Sequence, residues 1–190
     1  AKGLYIYDIE SDPDIKHDFL HGFIRLPKNI KTEISLEKTK YSPLLNLEKN
    51  TESFLWKRIT KKLSLNRDYP IIHYGETEPI SLLNLGLRQG ASPHEIEALK
   101  KRFIDIHLLI RECWYLPVRN YGLKSIAELI GFEWGKTNVD GARALLWWRQ
   151  WKKSRKINNM YSRNLNSIFE YNRDDCIATL MIAKWLIDNE

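Results

Sequence analysis

Tyr5-Ile6-Tyr7-Asp8-Ile9-Glu10 is the stretch on which the reading of the fold turns. Aromatic and β-branched residues lead straight into two carboxylates separated by one isoleucine. Side chains alternate along a strand, so Asp8 and Glu10 project from one face, about 7 Å apart. Two acids on one face of an apolar strand repel each other and resist burial. A divalent cation bridging them removes that conflict. The same letters also fit a plainer reading, in which the strand has ended and Asp8 to Asp14 form a solvated acidic loop.

Working outward, 190 residues suit one domain with a well-buried core better than two small ones. A hydrophobic fraction of 43% with 12% aromatics marks a globular chain, not a disordered one. The net charge of +6 permits a polyanionic partner without requiring one. The cysteines, Cys113 and Cys176, lie in apolar helical patterns; they form neither a disulfide framework nor a thiolate zinc motif, and suit a reducing compartment. No signal peptide is visible, and the longest apolar run, Ala144 to Trp148, is far short of the ~20 residues that span a bilayer. The expectation is a soluble, cytoplasmic protein with no membrane partner. The chain opens with Ala1 and reaches a strand almost at once, which reads as a domain excised from a longer polypeptide.

Along the chain, residues 19–26 read as a strand with Gly22 as a candidate bulge. Residues 32–36 alternate weakly, as a third strand would, and Pro43 to Asn50 read as a loop. A helix is expected over 51–63, a short strand over 69–75, and a helix from Pro79 to Gly90. Ser92 is placed to cap a helix running to about Cys113, with a break near Asp105. A short helix over 121–130, another over 140–153 and a final one over 163–187 complete an α/β pattern.

Within the last helix stands Tyr171-Asn172-Arg173-Asp174-Asp175. Tyr171 and Asp175, four apart, share a face. Ile168, Tyr171, Asp175, Ile182 and Leu186 form one row, which points Asp175 inward. Asp174 is the rival acid, on a row with Glu170 and Ile177 that looks more exposed. An inward aspartate without a partner is costly. A metal shared with Asp8 and Glu10, an arginine, or a helix N-terminus would each satisfy it.

An Asp-x-Glu on the first strand and a Tyr-x-x-x-Asp on a late helix resemble the first and third motifs of the DEDD exonucleases, in the branch with tyrosine (DEDDy). More narrowly, the chain resembles the ribonuclease H-like domain appended to predicted RecB-family nucleases. The matching stretches are Tyr7 to Glu10, Ile72-His73-Tyr74-Gly75 with Glu78, Phe103 to His107, Tyr121 to Ile126, and Tyr171 to Asp175. They cover nearly the whole chain in the expected order. The resemblance implies a single ribonuclease H-like domain over 1–190, with a central mixed β-sheet flanked by helices. It also implies two-metal phosphodiester hydrolysis, as a 3′–5′ exonuclease on single-stranded DNA or RNA, with a RecB-like domain in the full-length chain as a partner.

In that resemblance Asp8, Glu10, Glu78 and Asp175 hold two Mg²⁺ or Mn²⁺ ions about 3.5–4 Å apart. An all-oxygen ligand set suits such hard ions. Tyr171 orients the attacking water, because a phenol with a pKa of about 10 is a poor base at neutral pH. The second motif departs from the family's form: His73, Thr77 and Glu78 stand where Asn, Phe and Asp are usual. Glu76 competes with Glu78 for the acid's place. A non-catalytic nucleic-acid-binding or scaffolding module with a degenerate second motif is therefore the alternative.

Other residues have two readings each. Asp105 is a helix cap or an acid behind the site, with the cap preferred. Lys124 contacts a phosphate or is a surface lysine. His73 and His107 read as hydrogen-bonded core histidines. Trp147 to Lys156 sets tryptophans among cations, including Arg149, Lys152 and Lys153, as single-stranded nucleic acid requires. Yet Ala144, Leu145, Trp148 and Trp151 share a face, which favours a packed helix with a solvated basic end.

Overall fold

The computed structural model describes residues 2–27, 39–135, 139–154 and 162–189. Its centre is β1 (Leu4–Asp12), flanked on one side by antiparallel β2 (His17–Leu26) and then β3 (Tyr41–Leu45). On the other side lie β4 (Ile71–His73) and β5 (Phe103–Asp105), both parallel to their neighbours, giving the order β3-β2-β1-β4-β5. The mixed sheet is flanked by α1 (Glu52–Ser64), α2 (Thr77–Arg88), α3 (Pro93–Lys100), α4 (Ile106–Cys113), α5 (Leu123–Leu129), α6 (Gly141–Ser154) and α7 (Ser162–Asp188). This is an α/β architecture of the ribonuclease H-like kind.

Strand β1 is central and covered on both faces, so both of its alternating sets are apolar at the start. Tyr5, Tyr7 and Ile9 pack with Leu55, Ile59, Leu63, Leu82 and Leu85 of α1 and α2. Leu4 and Ile6 point the other way, onto α4, α5 and α7 through Ile110, Ile126, Cys176 and Leu180. Period-two alternation then carries Asp8 and Glu10 onto that second face, the one α7 covers. A third cluster forms where α6 meets β2: Trp148 is fully buried and stacks on Phe19 at 4.4 Å.

Several local expectations are corrected. Pro43 lies inside β3, not in a loop; among the described residues β3 pairs with β2 alone and is the outer strand of the sheet, where a missing N–H costs little. The strand expected over 32–36 falls outside the described residues, as do Arg155 and Lys156 of the basic end. Gly22 is not a bulge: it pairs in register with Asp8, and the irregularity of β1 falls between Glu10 and Ser11. The helix expected to run from Ser92 to Cys113 is divided by β5. Ser92 does cap α3, in a reciprocal capping box with Glu95.

Asp105 ends β5 and caps α4, accepting from the backbone N–H groups of His107 (2.9 Å) and Leu108 (3.3 Å). It also accepts from Gly75 N at 3.0 Å, which anchors the turn between β4 and α2. That turn needs a glycine, since Gly75 has φ +108°. Replacing Asp105 by alanine removes the cap and frees the turn, and is expected to lower stability by about 1–2 kcal/mol in a urea titration.

Candidate active site

Two elements converge on one acidic cluster. Asp8 and Glu10 come from β1, and Asp175 comes from the middle of α7 where it crosses the sheet. One oxygen from each of the three carboxylates lies within 4.8 Å of the others. Glu10 and Asp175 are buried and Asp8 is half-buried. Asp175 Oδ1 has no hydrogen-bond partner. Ile168 and Ile182, above and below it on the helix, are fully buried, so the row read from the sequence does face inward.

The electrostatics are those of crowded, desolvated acids. Burial, then Asp175 and then Glu10, pushes the Asp8 carboxyl well above its usual range. Glu10 is pushed up by burial and Asp175, and held back by a hydrogen bond from Asn172. Burial likewise raises Asp175 to about 7, against the pull of Tyr171 and Lys124. Clustered like charges kept from water demand a proton or a cation. An orphaned buried oxygen and an all-oxygen donor set fit a hard divalent ion.

Glu78 lies outside this trio but beside it. It is in the first turn of α2, buried, with Oε2 unpartnered apart from a 3.9 Å approach to His73 Nδ1. Burial above all, with Asp105 and Asp175 adding, raises it to about 8. Glu76 is exposed and Glu78 is not, so Glu78 is the acid that faces the interior. Glu10 and Glu78 line the same cleft of about 460 Å³, with Ile9, Ser11, Pro13 and Leu145 among its walls.

Tyr171 is half-buried, and burial followed by the charges of Asp175, Glu10 and Asp8 raises its phenol strongly. The Lys124 ammonium sits 5.7 Å from the centre of the Tyr171 ring and donates to the Val139 carbonyl. Asp174, expected to be more exposed, is 9% accessible against 8% for Asp175. It is turned elsewhere, accepting from Gly135 N at 3.2 Å and pairing with Arg173 at 3.1 Å.

His73 is a core histidine, donating from Nδ1 to the Gly75 carbonyl at 2.7 Å; His107 is half-buried against Tyr74. Trp148 is core, and Trp151 stacks on it at 5.3 Å. Arg149 is engaged by Asp12 (2.6 Å) and Asp14 (2.5 Å), which ties the β1–β2 turn to α6 along one wall of the cleft. Lys152 pairs with Glu48 at 3.6 Å and lies over the Trp148 ring. Lys153 is exposed.

Asn172 received no role from the sequence. Its side chain is fully buried and donates from Nδ2 to Asp8 Oδ2 (2.6 Å) and Glu10 Oε1 (3.3 Å). The signal was present: Asn172 is three residues before Asp175, hence beside it on the helix, and is a polar residue on an inward face.

A family model described as RNase_H_2, of the RNase_H superfamily, matches residues 5–187. No curated protein matches the chain.

Proposed function

Since the chain belongs to the RNase_H_2 family of the RNase H superfamily, we propose that it is a metal-dependent nuclease of the DEDDy type, acting as a 3′–5′ exonuclease on single-stranded DNA or RNA. Superfamily membership suggests metal-dependent hydrolysis of nucleic acid, and the acidic cluster fits it. The observation that carries the reading is the approach of Asp8, Glu10 and Asp175 within 4.8 Å, from the two motifs that the resemblance pairs.

In this reading Asp8, Glu10 and Asp175 hold the metal, and Glu78 completes the set from across the cleft. Bound Mg²⁺ or Mn²⁺ supplies Lewis acidity at the phosphodiester and makes water a nucleophile near neutral pH. Tyr171 keeps its proton, so it donates a hydrogen bond in the site and does not act as a base. Lys124 contributes positive charge beside Asp175. A cleft of about 460 Å³ is on the scale of small-ligand pockets and suits one terminal nucleotide better than a duplex. Of Arg149, Lys152 and Lys153, the first two are held in ion pairs with Asp12, Asp14 and Glu48, and the exposed Lys153 is the candidate to meet the phosphate backbone.

The test is release of nucleotides from 3′- and 5′-labelled single-stranded DNA and matching RNA, with Mn²⁺, Mg²⁺ or EDTA. Metal-dependent release that begins at the 3′ label supports the exonuclease, and internal fragments would make it an endonuclease. Inactivity on every substrate with metal present would favour the non-catalytic module.

A further inference from the structure

The Asp8–Glu10 pair is held from behind by an asparagine that has been given unusual room. Asn172 Nδ2 donates to both acids, while its Oδ1 accepts from the Tyr41 hydroxyl at 2.7 Å. An amide has one donating end and one accepting end. The Tyr41 phenol, kept protonated by burial, therefore fixes which end faces the carboxylates. Space comes from Gly22, the residue opposite Asp8 on β2. A Cβ there would lie 1.8 Å from Asn172 Oδ1 and 2.9 Å from its Cγ.

We propose that Asn172 is a positioning residue, which together with Tyr41 and Gly22 presets Asp8 and Glu10 to receive a divalent cation. This rests on the metal reading of the cluster. Charged acceptors make these hydrogen bonds stronger than neutral ones. The amide constrains one oxygen of each acid, so the two carboxylates present themselves to an ion in a fixed mutual orientation. Its neutrality matters as much as its geometry. A lysine or arginine in that place would also pin the acids, but would cancel the negative charge that draws the cation. Partners of this kind behind metal ligands are typically worth about 10–100-fold in affinity.

The experiment is calorimetric and EPR titration of Mn²⁺ into the parent, Asn172→Ala, Gly22→Ala and the Asn172→Ala/Gly22→Ala double variant, with melting measured in EDTA. Each variant is expected to bind Mn²⁺ about 10–100-fold more weakly than the parent. Gly22→Ala is expected to melt lowest, because its methyl evicts the amide. The double variant removes the clash with the amide and leaves a tight 3.0 Å approach to Tyr41 Cε2, so its melting temperature recovers toward that of Asn172→Ala while its affinity stays weak. Recovery of affinity together with stability would reduce Asn172 to a packing role and overturn the proposal. Parent-like Mn²⁺ binding by Asn172→Ala would overturn it as well. A parent that binds no Mn²⁺ would bring down the metal reading, and this proposal with it.

Discussion

An Asp175→Asn protein is expected to lose metal-dependent hydrolysis and, in EDTA at pH 8, to melt above the parent. The loss of rate follows from removing one of the three oxygens that converge within 4.8 Å. Taking one preorganised electrostatic group from such a site costs on the order of 10²–10³-fold. The gain in stability follows from the carboxyl being held up to about 7, chiefly by burial. A folded-state pKa above the unfolded one means that the protonated group favours folding. That contribution is complete below about pH 4 and is lost as pH rises through about 7. Asparagine has the same shape and cannot ionise, so the variant escapes the loss. At about pH 4 the two proteins should melt close together. A variant that keeps hydrolysis, or that melts below the parent at pH 8, would contradict this account.

Heating the parent across a pH series extends the same sign to the whole cluster. Asp8 and Glu10 are raised well above their usual range, Asp175 to about 7 and Glu78 to about 8. Each favours the folded state when protonated, so the EDTA-treated protein should lose melting temperature steadily from about pH 4 to about pH 8. Mn²⁺ or Mg²⁺ should reverse that loss, because the ion binds the folded, deprotonated cluster. At about 100 times its dissociation constant an ion adds about 2.7 kcal/mol. At this chain length each kcal/mol is about 2–4 °C, so the metal should raise melting by about 5–10 °C at pH 8. At pH 5 protons compete and the shift should shrink toward nothing. A metal effect independent of pH would mean that these acids are not the ligands.

How much of this was legible in the letters depends on the range over which each residue is determined. Alternation in Tyr5 to Glu10 set the side on which Asp8 and Glu10 emerge, and helical spacing set the side for Asp175, because both are strictly local periodicities. Ser92 and Glu95 declared their capping box for the same reason. What escaped was decided by neighbours distant in sequence. Pro43 reads as a loop residue until β3 is seen to be, among the described residues, the outer strand beside β2. Arg149 reads as a phosphate contact until the β1–β2 turn brings Asp12 and Asp14 to it. Phe103 to Asp105 reads as helix because its strand identity depends on β4 alongside. Asn172 was hidden most completely. Its purpose requires Asp8, Glu10, Tyr41 and Gly22, which reach it from three strands.

The pairing of Asp8 with Asn172 spans 164 residues. During synthesis the first two acids therefore leave the ribosome long before the helix bearing Asn172 and Asp175 exists. Until that helix docks, Asp8 and Glu10 are an open, hydrated pair with no third carboxylate to close a cage. Closing so long a loop comes late, since its entropy must be spent before its contacts repay it. The three-carboxylate arrangement is therefore a property of the docked helix α7, which brings Asp175 and Asn172 to the strand that carries Asp8 and Glu10.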